Sequence, residues 1–248
     1  FGGVTDSVRL VNPISADLDV MRPSMLPNLI NAASRNAARG ISDSALFEVG
    51  PQFTGDAPED QAVACSGIRV GATGPRHWSD APRPTDVFDA KADAMAVLAD
   101  LGVAVDRLQI TTDAPDYFHP GRSGALRQGP KNVLAWFGEI HPRVLKTMDG
   151  PGPIAGFEIF IDNLAPPKAK KGTARAHLTL SPYQKVSRDF AFVADEGVKA
   201  SALAAAARNA DKALITGADV FDVFTGASLG VGKKSMALFV TLQPTDKT

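Results

Sequence analysis

The sequence predicts an α+β protein in two domains, each built on an antiparallel sheet. Three observations carry this. Short apolar runs bounded by Gly and Pro recur up to residue 165, broken by only two long helical periods. A Pro- and Lys-rich stretch, Pro166–Gly172, has no apolar period and reads as a linker. After it the order strand–helix–strand–strand begins afresh. The expected boundaries are residues 1–165, a linker at 166–178, and a second domain at 179–248.

The first helix follows an extended, Pro-rich entry. Met25, Leu26, Leu29, Ile30, Ala33 and Ala37 form an apolar stripe, with Ser24 as the expected N-cap. Gly40 suits the position after the last turn, and Arg39 suits the negative end of the helix dipole. Ala45–Val49 reads as a buried strand and Ala62–Val70 as another, ended by Gly71 and Gly74-Pro75. Asp86–Leu101 is the clearest helix, with Val87, Phe88, Lys91, Met95, Leu98 and Leu101 on one broad face. Leu108–Thr112 reads as a short strand and Tyr117–Ser123 as a Gly/Pro/His loop. Leu126–Gln128 and Val133–Glu139 read as strands, His141–Met148 as a turn or short helix, and Ile154–Ile161 as a strand.

In the second domain Phe190–Val193 is an expected strand and Lys199–Asn209 an Ala-rich helix. Ile215–Phe224 is a strand, Gly226–Gly232 a loop, and Ser235–Leu242 a strand with Met236, Leu238, Val240 and Leu242 on one side. That order predicts a ferredoxin-like half-sandwich that ends before a second helix and a fourth strand. The chain also begins without Met and reads as cut from a longer one.

Composition narrows the function. Apolar residues make up 44%, enough for a core, and the net charge of -1 gives no global pull toward polyanions. The balance is uneven: 12 Lys+Arg against 7 Asp+Glu from Pro166 onward, and 14 against 20 before it. A basic last third hints at a polyanion-facing module. Cys65 is the single cysteine, which fits a reducing, cytoplasmic setting. It reads as a small buried hydrophobe rather than a catalytic thiol. No run approaches the ~20 apolar residues of a membrane span.

Candidate chemistry is sparse. His119-Pro120-Gly121-Arg122-Ser123 and Glu139-Ile140-His141-Pro142 bring His, Arg and Glu near strand ends. The histidines are too widely spaced for a zinc set, and the His-Pro pairs are most simply turn formers. Arg122 suits a carboxylate or phosphate, or the capping of strand carbonyls. Gly226 to Lys233-Lys234-Ser235 departs from phosphate-loop spacing and opens a strand rather than a helix. It reads as a hairpin with two exposed lysines. Asp17/Asp19 and Glu59/Asp60 read as solvated pairs. Tyr183, Lys185, Arg188, Phe190, Phe192, Phe221, Phe224, Lys233 and Lys234 interleave aromatic and basic character. Exposed aromatics on such a sheet stack bases while cations neutralise phosphates. Phe190, Phe192 and Phe221 are also read as core beneath the helix.

Several blocks together carry a resemblance. They are Asn12-Pro13, Asp17-Leu18, Met21-Arg22, Ser24-Met25-Leu26-Pro27, Asn36, Arg39-Gly40 and Leu46-Phe47-Glu48-Val49-Gly50. To these are added Phe88-Asp89-Ala90-Lys91, the two His-Pro blocks, Ser181-Pro182-Tyr183, Arg188-Asp189, Phe221-Asp222-Val223 and Gly232-Lys233-Lys234-Ser235. In this order they resemble the C-terminal portion of the bacterial phenylalanine–tRNA ligase β subunit family. The resemblance implies a class II synthetase-like antiparallel sheet domain without catalysis, followed by a truncated ferredoxin-fold anticodon-binding domain. It implies a catalytic α subunit as partner in an (αβ)2 assembly, and tRNA(Phe) as ligand. ATP and Mg2+ are then expected for the whole enzyme, and no cofactor for this part. Lys185, Arg188, Phe224, Lys233 and Lys234 become candidate tRNA contacts. Arg22, Arg39, His119 and Arg122 become candidate subunit-interface residues.

The residues fit a non-catalytic sheet domain in one respect. Adenylate chemistry stabilises phosphate charge, so it needs arginines on central strands. Leu46–Phe53 has none, and Pro51-Gln52 stands where the family usually has a basic residue. The competing expectations are a freestanding enzyme using His119, Arg122 and His141 on a carboxylate or phosphate, and a pure protein-interaction module.

Overall fold

A computed structural model describes residues 1, 6–166 and 180–245, with the side chain of residue 17 left aside. The linker expected at 166–178 lies outside the described residues from 167 onward. The chain divides into two compact units, Phe1–Ala169 and Lys170–Thr248.

The first unit is a six-stranded antiparallel sheet with helices on both sides. Its elements are α1 (Leu26–Ala38), β1 (Ser44–Phe53), β2 (Gln61–Val70), α2 (Val87–Asp100) and β3 (Gln109–Thr111). There follow β4 (Phe118–Arg127), β5 (Val133–Ile140), α3 (Pro142–Thr147) and β6 (Ile154–Phe160). The strand order is β1-β2-β6-β5-β4-β3. Side chains alternate across a strand, so each side has its own core. Leu26, Leu29, Ile30 and Ala33 of α1 pack with Ile68, Val70, Ile140 and Ile154 on one side. Ala94 and Leu98 of α2 pack with Cys65, Leu126, Phe137, Phe157 and Ile159 on the other. Gly67 of β2 lets the ring of Phe157 lie across the sheet, since a Cβ there would stand 2.6 Å from it.

Four local expectations are corrected. Helix α1 starts at Leu26 with Met25 at the N-cap position, not Ser24. The Ser24 hydroxyl still accepts from the Leu26 N–H (3.1 Å) but serves a buried carboxyl as well. Strand β1 is not buried: it is an edge strand, and Phe47 and Val49 are exposed on the α2 side of the sheet. On α2 the residues turned inward are Ala90, Ala94 and Leu98, while Phe88 is 69% exposed. The helix starts cleanly because Asp86 accepts from the Phe88 and Asp89 N–H groups and Asp89 accepts from Asp86 N–H.

The fourth correction concerns Tyr117–Ser123, which is not a loop. Phe118–Ser123 is the start of β4, interrupted by a wide bulge. Phe118 pairs with Ile140 and Ser123 with Gly138, so β4 carries three extra residues in that interval. Pro120 and Gly121 fit a strand here because the ladder is locally broken. The Ser123 hydroxyl donates to the His119 carbonyl (2.7 Å) and closes the bulge. Gly138 lies beneath it, where a Cβ would come within 2.9 Å of the Arg122 carbonyl oxygen.

The second unit contains β7 (Val186–Asp195), α4 (Ala200–Ala210), β8 (Ile215–Phe224) and β9 (Lys233–Leu242). The sheet order is β7-β9-β8, all antiparallel. This is the expected βαββ half-sandwich. Ala218, Met236, Leu238 and Val240 are buried under Ala204, Leu203 and Ala207 of α4. Phe190, Phe192 and Phe221 are not core: they are 46%, 43% and 59% exposed. Helix α4 packs on β8 and β9, and β7 is exposed along most of its length, with Ala194 reaching the core.

Candidate functional site

The first unit buries one carboxyl group on the α1 side of its sheet. Glu158 of β6 is 1% exposed. Its Oε1 accepts from the Ser24 hydroxyl (2.6 Å) and from Gln52 Nε2 (3.0 Å), and its Oε2 accepts from the Tyr117 hydroxyl (2.6 Å). Burial pushes the Glu158 carboxyl up from the ordinary carboxylate range, and the three hydrogen bonds pull it down. Burial and the neighbouring Glu158 charge push the Tyr117 hydroxyl far up, which keeps it a donor. A cavity of about 450 Å³ adjoins the carboxyl, with Trp136 and Phe160 in its wall. Its lining includes Glu158 and Asp116 and no Lys, Arg or His among the described residues.

None of these partners is foreseen by spacing, since they come from residues 24, 52, 117 and 158. One signal was present. Glu158 is the only charged residue in the run Ile154–Phe160. A lone acid inside an apolar strand is a buried group in need of donors.

The arginines near this sheet are engaged. Arg22 donates through Nη1 to Glu48 Oε1 (2.5 Å) and through Nε to the Pro51 carbonyl (3.1 Å). Arg69 of β2, which nothing in the sequence singles out, faces α2 and makes a two-point contact with Asp93. Arg39 is exposed at the C-cap of α1. Cys65 is buried, and its thiol is pushed up by desolvation, so it is held as an unreactive hydrophobe.

The two His-Pro blocks do meet. The His119 and His141 rings stack at 6.2 Å and 24°. Each ring has its Nδ1 engaged: His119 accepts from Gly121 N–H and His141 from Arg143 N–H, both at 3.1 Å. His141 thereby caps α3. Arg122 pairs with Glu139 (3.0 Å). These are the contacts of a braced bulge and a helix start.

In the second unit the candidate contacts fall on opposite sides of one sheet. Facing residues in an antiparallel ladder share a side. Arg188 faces Val240 and Lys234 faces Ala194, on the side that carries α4. Lys233 faces Asp195, and Phe224 faces Ser235, on the open side. Lys233 Nζ pairs with Asp195 Oδ1 at 2.6 Å. Lys185 directly precedes β7 and is exposed. On the open side Phe239 stands between Asp189 and Asp219.

A family model described as the phenylalanyl tRNA synthetase beta chain CLM domain matches residues 3–161. The chain belongs to that family. A second model, the ferredoxin-fold anticodon binding domain, matches residues 181–248. The phenylalanine–tRNA ligase beta subunit of Rhodospirillum rubrum is 54% identical over all of this chain and 31% of its own length. That of Paramagnetospirillum magneticum is 53% identical over the same shares. The chain thus spans about a third of the length of the curated relatives it matches. Among solved structures, pyrrolysyl-tRNA synthetase from Desulfitobacterium hafniense aligns distantly, with a TM-score of 0.45 and 13% identity over 62% of this chain and 50% of that one. The CLM domain is therefore the six-stranded unit with the buried Glu158, and the ferredoxin-fold domain is the three-stranded unit with the divided cations.

Proposed function

We propose that the chain is a non-catalytic part of a phenylalanine–tRNA ligase β subunit. Its CLM domain serves as a scaffold for a catalytic α subunit in an (αβ)2 assembly. Its ferredoxin-fold domain contacts the anticodon region of tRNA(Phe). The whole enzyme attaches phenylalanine to tRNA in the cytoplasm, using ATP and Mg2+ held by the α subunit.

One observation carries the non-catalytic part of this reading. The cavity beside Glu158 has two carboxyl groups and no basic side chain among its described lining residues, while Arg22 and Arg69 are tied to Glu48 and Asp93. Such a lining repels phosphates and does not fit ATP. No step is therefore assigned to these residues. The freestanding-enzyme reading gains nothing from His119, Arg122 and His141, whose polar groups serve the bulge and helix α3.

The test is co-purification with a tagged α subunit, followed by tRNA titration at several salt concentrations. Retention on the α subunit and a salt-dependent tRNA affinity are expected. A chain that neither stays with the α subunit nor binds tRNA sinks the proposal.

A further inference from the structure

The cavity beside Glu158 has a property that neither scaffold nor tRNA contact requires. Its carboxyl is buried with three hydrogen-bond donors, all of them neutral: the Ser24 and Tyr117 hydroxyls and the Gln52 amide. A carboxylate has room for about four such bonds. Oε1 already takes two, and Oε2 takes one. Among the described residues no side-chain cation pairs with it, and the Phe1 ammonium acts on it only from beyond ion-pair distance, although a buried carboxylate without a paired counter-charge is costly. The walls beside it are aromatic. Trp136 and Phe160 meet edge to face at 4.7 Å and 82°, and Tyr117 is buried against the same space. The volume of about 450 Å³ is that of a small-ligand pocket rather than of a packing defect.

We propose that this cavity binds a small organic cation, a primary ammonium carried on an apolar or aromatic body. The ammonium supplies the counter-charge of Glu158 and takes the remaining acceptor position on Oε2. The body lies against Trp136 and Phe160, where an aromatic face also attracts positive charge. Asp116 at the lining adds to the preference for cations, and with no base in the lining an anion of the same shape is rejected.

The test uses the whole 248-residue chain and 2-phenylethylamine as the probe, with phenylacetate and benzyl alcohol as the anionic and neutral matches. Trp136 is one of only two tryptophans, so Trp78→Phe leaves its fluorescence as a direct report from the cavity wall. Saturable quenching by the amine is expected, at least tenfold tighter than either match. Glu158→Gln keeps the shape and removes the charge, and should weaken the amine at least tenfold. Ala62→Leu narrows the cavity from β2 and should abolish binding while leaving Glu158 in place. It decides the matter if Glu158→Gln fails to fold. Absence of saturation up to about 10 mM amine, which means binding weaker than about −3 kcal/mol, would overturn the proposal. So would equal binding of phenylacetate, or binding that Ala62→Leu leaves intact.

Discussion

Arg69 and Asp93 lock β2 to α2: Arg69 Nε and Nη2 donate to the two carboxylate oxygens of Asp93 at 2.5 and 2.8 Å. The pair is about one-third exposed, so it is screened but geometrically favourable. Asp93→Ala should lower stability by about 1 kcal/mol, read as a lower urea midpoint with an unchanged slope. An unmoved midpoint would show that the contact contributes no net stability.

Glu158 gives a pH prediction whose sign is fixed by burial. Its carboxyl binds its proton more tightly in the folded chain than in the unfolded one. That contribution to stability is complete below the ordinary carboxylate value and is lost as pH rises through the raised one. Glu158→Gln removes the titration. The stability of wild type minus that of the variant should therefore fall as pH rises from the ordinary carboxylate range through the raised value. A difference that stays constant would mean that the carboxyl titrates alike in both states.

The β4 bulge rests on Gly138. A methyl group there would stand 2.5 Å from Ser123 Cβ and 2.9 Å from the Arg122 carbonyl oxygen. Gly138→Ala should cost about 1–3 kcal/mol. It should also separate the His119 and His141 rings, visible as changed imidazole chemical shifts in NMR spectra. Unchanged shifts would show that the bulge tolerates the displacement.

Lys233 and Lys234 should differ in their weight for tRNA binding. Asp195 already accompanies Lys233, whereas Lys234 has no ion pair among the described residues. Lys234→Glu should lower the log–log salt slope of tRNA binding by about 1. Lys233→Glu should lower it by less. Equal slopes in both variants would remove the distinction.

Alternation and turn chemistry made most of the fold legible. Met236, Leu238 and Val240 were readable as one buried side of β9 from their spacing alone, and that is where they lie. Helix α2 was marked by its period. Alternation assigns a side of the sheet but not the reach of the helix above it, so the exposure of Phe190 and Phe192 was not readable. The Pro and Gly of His119–Ser123 signal a loop, and only the pairing with β5 makes them a bulged strand. The Glu158 cluster and the Arg69–Asp93 pair join residues far apart in sequence, and no local pattern encodes such a meeting. The aromatic and basic residues of the second unit were visible as a composition, but their division between two sides depends on register.

That division has a consequence for anything that lands on the second unit. Lys233 and Lys234 are consecutive in the chain, yet the pleat of β9 sends them in opposing directions. A polyanion lying flat on the open side reaches Phe224 and Lys233 but meets Asp189, Asp219 and Asp222 as well. One lying on the other side reaches Arg188 and Lys234 and none of those acids. Two neighbouring lysines are here two separate addresses, and a single flat docking pose can use only one of them.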